Sequence, residues 1–417
     1  MEQNENIQIS DFIKLTKIST NHVKKALIAR VGGLGDCLIL TPIAKELHKR
    51  GYQVDFFIGS PTGQVFQLFE KLPYLHSIKK VQRLNGIDCI EDEQKNFVSL
   101  DILKSGYDEV FDFKFSIEEN RAGFNKIDEW RRSINSNYMN WVDLSFAWSN
   151  IDWTQISDED KRPEISIPEK YHEWALNEVP DEGRVIGIQL QASSLTRTWY
   201  RAMDLPELLH TKYMNDTILV FAGNEWVMMA KYGRKKIDVP EGFDPILCSV
   251  ALINQMAVFI SADSGMSHVA EAVGTHSIDI YTTVPAWTRI KYYKFAHPLE
   301  AKVPCHPCFV LDQFCPLEKK KAEESLSERE KRIFQAGNSR EDIMKVAKEF
   351  QTIPKAIDDE FGAIRQKIGA ISATMPACVG NITPKMITDK VAEIFELLES
   401  SKEIENEVFS NSSNQLN

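Results

Sequence analysis

From Lys25 onward the chain alternates short apolar runs with stretches of helical period. "ALIARV" (Ala26 to Val31) reads as a strand, "CLILTPIAKELHKR" (Cys37 to Arg50) as a helix, Gly51 as its stop, and "QVDFFIG" (Gln53 to Gly59) as a second strand. Together they form a βαβ unit. "YDEVFDF" (Tyr107 to Phe113) reads as a further strand, whereas the aromatic-rich "NYMNWVDLSFAWSNIDW" (Asn137 to Trp153) reads as irregular or helical wall. After the polar, proline-bearing segment from Ser157 to Gly183 the alternation resumes with "RVIGIQL" (Arg184 to Leu190), "DTILVFAG" (Asp216 to Gly223), "AVFISADSG" (Ala257 to Gly265) and "THSIDIYT" (Thr275 to Thr282).

Two α/β units joined by a linker is the economical reading. Facing Rossmann-like sheets place a cleft between their carboxyl edges, where ligands of open α/β sheets bind. The expected organisation is an N-terminal extension (1–21), a first Rossmann-like domain (22–160), a linker (161–183) and a second Rossmann-like domain (184–300). A Cys-rich helical insertion (301–380), a C-terminal helix (381–400) and a polar, disordered tail (401–417) follow.

Composition narrows the function classes. The 417 residues are 43% hydrophobic and 26% charged, as in a soluble globular protein. A formal net charge of −11 argues against a general nucleic-acid binder, which needs a basic surface. The N-terminus lacks a basic region followed by an apolar core, and no window nears about 18 uninterrupted apolar residues. The expectation is a cytoplasmic protein without a membrane span. Seven cysteines, an odd number, do not form a disulfide framework, and Cys37, Cys89 and Cys248 sit among apolar neighbours as small buried residues.

The loop "VGGLGD" (Val31 to Asp36) fails the dinucleotide fingerprint G-x-G-x-x-G, because Gly32, Gly33 and Gly35 are followed by Asp36, Cys37 and Leu38. It also sets a carboxylate at the expected helix start, where it would repel a docking phosphate. The loop is better suited to holding Asp36 in a cleft, although an Asp there is also a favoured helix cap.

These residues carry a resemblance. "RVGGLGDCLILTPIAKELHKRGYQVDFFIGSP" (Arg30 to Pro61) resembles the amino-terminal signature of glycosyltransferase family 9, the heptosyltransferase family, and "SADSGMSHVAEAVG" (Ser261 to Gly274) is similar to its Asp-Thr-Gly-Leu-Ser-His-x-Ala segment, with Ser264 replacing Thr. "QASSLTRTWY" (Gln191 to Tyr200) resembles the family's donor-site loop, and "CVGNITPKMI" (Cys378 to Ile387) its carboxyl-terminal part. The resemblance implies a GT-B architecture and inverting transfer of a sugar from a nucleotide diphosphate, typically ADP-heptose, with no catalytic divalent metal. Asp36 matches the catalytic carboxylate, in keeping with the one general base that inversion needs.

For the donor, the backbone amides of Ser264, Gly265 and Met266 at a helix start would meet the departing diphosphate. Asp263 would cap that helix or orient the loop, and His268 would face the same cleft. Arg197 stands for the family's basic residue two before Trp199, with Arg201 as competing assignment, and Ser193 and Ser194 add hydroxyl donors. Glu225 matches an acidic position that contacts the nucleoside ribose, against the plain reading of a solvated helix-start Glu. "VGGLGD" also resembles the glycogen-synthase loop Lys-x-Gly-Gly-Leu, which makes Arg30, with Gly33 and Gly35, an acceptor-side or second phosphate contact.

Cys305 and Cys308 form C-x-x-C, Cys315 follows, and Cys378 stands before "VGNITPKMI". Four thiolates can close a tetrahedral structural site for zinc or iron, with His306 in reserve, and such a site has no open position for substrate. The reading against it is four reduced cysteines. The acceptor hydroxyl, on a glycan, lipid-linked glycan or protein, has no legible signature. Two other function classes stay open: a sugar-nucleotide epimerase, which would need further carboxylates around the donor sugar, and a silent sugar-nucleotide-binding subunit, which would need no base.

Overall fold

The computed structural model describes residues 23–59, 65–84, 87–91, 97–113, 139–199, 204–222, 225–231, 233–309, 315, 317, 324, 326–336, 340–372 and 377–414. The N-terminal extension and Arg201 lie outside the described residues.

Two sheets organise the chain. The first contains β1 (Lys25–Val31), β2 (Gln53–Gly59), β3 (Ser77–Leu84), β4 (Ile87–Glu91), β5 (Phe97–Ser99) and β6 (Glu109–Asp112), in the order β5-β4-β3-β2-β1-β6. β1 lies between β2 and β6 and is parallel to both. Ala26, Leu27, Ile28 and Ala29 are wholly buried, as an apolar central strand with both faces covered must be. The antiparallel extension β3–β4–β5 is absent from the sequence reading. Lys79, Lys80 and Arg83 interrupt the apolar pattern of β3.

The second sheet runs β10-β9-β8-β7-β11-β12-β13, built from β7 (Val185–Gln189), β8 (Thr217–Ala222), β9 (Glu225–Ala230), β10 (Gly233–Ile237), β11 (Val258–Ala262), β12 (His276–Tyr281) and β13 (Ala296–Glu300). Its five strands from β8 through β13 are parallel, and β9 and β10 add an antiparallel edge.

The helices that matter for the site are α1 (Leu34–Leu38), α2 (Thr41–Lys49), α3 (Trp141–Trp148), α4 (Glu169–Glu178), α5 (Leu205–Lys212), α6 (Pro245–Asn254), α7 (Gly265–Val273) and α8 (Trp287–Ile290). The single helix expected after the glycine loop is two, α1 and α2, with Pro42 in the first turn of the second. Gly51 and Gly274 follow α2 and α7 with φ of 85° and 80°, a left-handed geometry that glycine adopts without steric cost. The segment read as linker holds α4, whose Tyr171 and Ala175 are fully buried.

Beyond the second sheet, α9 (Glu328–Ala336), α10 (Arg340–Glu349) and α11 (Pro354–Ser372) share a separate small core of Leu326, Ile333, Ile343, Val346, Ala347, Ile357 and Ile364. The chain then returns through α12 (Ala377–Asn381) and α13 (Pro384–Asn414). α13 lays Ile387, Val391, Ile394 and Phe395 into the core of the second sheet. Burying side chains of this size stabilises by about 1.5–3 kcal/mol each, which makes the C-terminus an integral part of that unit. α13 continues past residue 400, where the sequence reading placed a disordered tail, because Glu and Lys in "SSKEIENEVF" are good helix formers despite their polarity. No helix among the described residues is long and apolar enough to cross a membrane.

Candidate active site

The site is built where β1 and β11 each deliver the chain into a helix. On the first sheet, Asp36 occupies the third position of α1 and its Oδ2 accepts the Gly33 N–H at 2.9 Å, capping the helix from within. The same oxygen lies 2.9 Å from Arg30 Nη2, whose guanidinium is buried and donates through Nη1 to the Phe113 carbonyl at 2.6 Å. Arg30 is therefore engaged in holding Asp36. A Cβ on Gly32 would stand 2.7 Å from Asp36 Oδ2 and 2.9 Å from Arg30 Nη2, so a side chain there would displace this ion pair. Asp36 retains 22% side-chain exposure, and Oδ1 has no partner among the described residues.

On the second sheet, Ser264 is the N-cap of α7 and accepts the Met266 N–H at 3.3 Å. Capping thus falls to Ser264 and not to Asp263, and one of the amides expected to face phosphate is already engaged. Asp263 has another place. Its Oδ2 lies 3.5 Å from Arg197 Nη1 and its Oδ1 3.9 Å from Arg289 Nε. Arg197 also donates to the Asp263 carbonyl at 3.2 Å, to Ser194 Oγ at 3.1 Å and to Ser193 Oγ. Ser193, Ser194, Arg197, Asp263 and the Ser264 cap thereby form one connected group at the carboxyl ends of β7 and β11. Behind it Trp199 is fully buried and donates to the Ile382 carbonyl at 3.1 Å, pinning the 193–199 loop to the returning C-terminal segment.

The two glycine loops touch. A Cβ on Gly35 would lie 2.8 Å from His268 Cδ2 and 2.9 Å from the Gly265 Cα, and one on Gly265 would lie 2.9 Å from the Gly35 nitrogen. Only glycine at both positions lets α1 and α7 approach this closely. His268 is buried between them, and its Nδ1 meets the Tyr293 hydroxyl. Burial first, with Arg289 and Arg197 adding to it, holds its pKa down at about 4 against the opposing carboxylates of Asp263 and Asp36.

Glu225 stands apart from this group: it opens a strand, β9, instead of a helix, is exposed, and pairs with Lys236 at 2.7 Å on the antiparallel edge. Burial pushes the thiols of Cys37 and Cys248 up to about 12, which makes them inert near neutral pH.

Several residues that join the two sheets escaped the sequence reading. Arg289 is buried with its guanidinium 3.3 Å from the ring centroid of Trp141 on α3, a cation–π contact across the interface. Asp143 of α3 accepts from the Tyr292 hydroxyl at 2.6 Å and pairs with Lys161 at 3.1 Å. Arg162 pairs at 2.6 Å with Glu271 of α7, which also accepts the N–H groups of Lys294 and Phe295. The alternation of basic and aromatic residues in "WTRIKYYKF" (Trp287 to Phe295) was the available signal.

Cys305 and Cys308 are exposed, Cys315 is half-buried and Cys378 is buried. The Cys378 thiol is pushed up to about 11, chiefly by burial and then by its neighbours Cys308, Cys315 and Cys305. The His306 side chain is buried, among the described residues neither ring nitrogen is hydrogen-bonded, and Glu300 lies 3.8 Å from Nε2. Among the described residues no group of three or more His, Cys, Asp or Glu is placed as a metal site.

Residues 247–319 match the model of glycosyltransferase family 9 (heptosyltransferase). No curated protein matches the chain. Among solved structures, the chain is similar to the E. coli ADP-heptose LPS heptosyltransferase II at 12% identity, covering 67% of this chain and 91% of that one with a TM-score of 0.44. A family 9 glycosyltransferase from Veillonella parvula aligns at 14% identity over 78% and 96% of the two chains, with a TM-score of 0.44. The iron-containing dodecameric glycosyltransferase TibC from enterotoxigenic E. coli aligns at 13% identity over 69% and 65%, with a TM-score of 0.43. Overlaps this loose carry no weight of their own. The family match instead falls on β11, the Ser264 cap, His268 and α7, the part of the site that meets Gly35, and over those residues the chain is similar to the glycosyltransferases of family 9.

Proposed function

We propose that the chain is an inverting glycosyltransferase that moves a sugar, heptose in the first instance, from a nucleotide-diphosphate donor, ADP-heptose in the first instance, to an acceptor hydroxyl. The observation that carries the reading is the contact of Gly35 with Gly265 and His268, which brings the loop that carries Asp36 against the start of α7. Asp36 acts as general base. Its Oδ2 is occupied by Gly33 and Arg30, so Oδ1 takes the proton as the acceptor oxygen attacks the anomeric carbon. The bond from that carbon to the diphosphate oxygen breaks on the opposite face, and Arg197, Ser193, Ser194 and the amides of α7 stabilise the charge that leaves. Asp263 holds Arg197 in place, and Glu225, at the start of β9, exchanges Lys236 for the ribose when the donor binds.

The acceptor is a hydroxyl on a glycan, lipid-linked glycan or protein, and the setting is the cytoplasm. Screening nucleotide sugars for thermal stabilisation and slow hydrolysis tests the donor without the acceptor. Stabilisation by ADP-heptose over other nucleotide sugars is expected, and indifference to every nucleotide diphosphate sugar would remove the reading.

The same proposal extends to Cys305, Cys308, Cys315 and Cys378 as ligands of one structural zinc or iron. Their mutual influence at Cys378 and the unpartnered ring of His306 fit a thiolate site with an imidazole in reserve. Such a metal would cross-link the two ends of the helical insertion. Purified protein is expected to hold about one equivalent of metal, and Cys378→Ser to lower metal content and melting temperature together. Metal-free protein with four titratable thiols and unchanged stability would end this part.

A further inference from the structure

Tyr293 was assigned no role by the sequence, yet its side chain decides what His268 can do. Its ring stands edge-on to the His268 ring, centroids 5.7 Å apart at 82°, and its hydroxyl meets Nδ1. Among the described residues that hydroxyl has no other partner. If Nδ1 carried the proton, it would donate to the tyrosine oxygen and leave the O–H proton buried without an acceptor, an unfavourable arrangement. The satisfied arrangement has the tyrosine O–H donating to a bare Nδ1. A neutral imidazole then carries its proton on Nε2, on the ring edge that faces Gly35, 3.6 Å from where a Cβ on that residue would stand. Burial keeps the Tyr293 hydroxyl protonated well above its ordinary range and keeps His268 uncharged, so neither group leaves this state near neutral pH.

We infer that Tyr293 is a positioning residue that locks His268 as the Nε2–H tautomer, a neutral donor aimed from the second sheet at the donor diphosphate beside the Asp36 loop. The aim at phosphate rests on the glycosyltransferase reading; the tautomer does not. A neutral donor suits a site already holding Arg197 and Arg289, because an imidazolium there would add a third buried cation.

The test uses the full chain labelled with nitrogen-15 histidine, the His268 signals being assigned by their loss in His268→Gln. The expected result is an unprotonated Nδ1 and a protonated Nε2 from pH 6 to 8. In Tyr293→Phe the two tautomers should mix, and ADP affinity should fall several-fold with little change for adenosine. A protonated Nδ1 in the unaltered protein overturns the inference, and so does a Tyr293→Phe variant that keeps both the tautomer and the ADP affinity. That measurement on unaltered protein decides the matter even if Tyr293→Phe does not fold. If the unaltered protein binds no ADP at all, the donor reading fails, and the nitrogen signals alone uphold or overturn the tautomer.

Discussion

The loops before α1 and α7 are made from the same parts, a parallel strand, glycine and a helix start, yet they prepare opposite electrostatic settings. At α1 the cap comes from inside the helix: Asp36, at its third position, folds back on Gly33 and brings a negative charge to the helix end. At α7 the cap comes from the residue before the helix, and Ser264 is neutral. The neighbours follow suit. Arg30 compensates the carboxylate at α1, while at α7 two guanidinium groups share the single carboxylate of Asp263. Where the polar side chain sits relative to the first turn decides whether a glycine loop carries a negative charge or a neutral cap.

Removing the charge at α1 is the sharpest way to break this comparison. Asp36→Asn keeps the size and a cap acceptor, so donor binding should persist while transfer falls at least about a hundredfold, the scale of general acid–base assistance. Near-normal turnover would assign the carboxylate to capping alone. Next in size is Arg197→Ala at the other loop, where loss of charge-assisted hydrogen bonds of about 1.5–3 kcal/mol should weaken ADP far more than adenosine, read by calorimetry. Equal weakening of both ligands would mean that the loop had collapsed. Gly35→Ala tests the contact between the loops. Its Cβ would press on His268 and on the Gly265 backbone, with a destabilisation of about 1–3 kcal/mol expected in urea titrations. An unchanged midpoint would show that α1 and α7 can part without loss.

A further effect is one of pH. His268 titrates at about 4 when folded against 6.5 in an open chain, so as pH falls from 6.5 towards 4 the unfolded state binds a proton that the buried ring refuses, and stability is lost. Asp279, pushed up to about 7 by burial, works the other way: its contribution is present at low pH and lost as pH rises through 7. Urea titrations from pH 4 to 7 should therefore show His268→Gln resisting acid better than the unaltered protein, and a variant that parallels it would remove His268 from the balance.

What the sequence disclosed tracks where information is local. β1, the glycine loop, β7, β11 and the Ser264 helix start were legible, since an unbroken buried strand followed by glycine leaves few alternatives. The antiparallel edge β3–β5 was not: with Lys79, Lys80 and Arg83 in β3, no run of apolar residues marks it. α4 was hidden inside a proline-bounded polar segment, because its buried face consists of little more than Tyr171 and Ala175. Arg289, Tyr293 and the Asp143–Tyr292–Lys161 group owe their roles to partners far away in the chain, and a single sequence holds no record of such pairings. Clustering of Ser193, Ser194, Arg197 and Asp263 was foreseeable only through the family resemblance, whereas the division of labour between Ser264 as cap and Asp263 as arginine partner required coordinates.

The bond from the Trp199 indole to the Ile382 carbonyl has a temporal side. A ribosome delivers the chain from one end, so the strands of the second sheet emerge long before Ile387, Val391 and Ile394 exist to cover them. For that interval the nascent sheet exposes an apolar face, and the loop that carries Arg197 lacks its anchor. The helices α9 to α11, with a small core of their own, can fold while they wait for α13. Completion of the second sheet is thereby tied to the emergence of α13, and a chain halted before α13 would carry Ser193, Ser194, Arg197 and Asp263 without the support that arranges them.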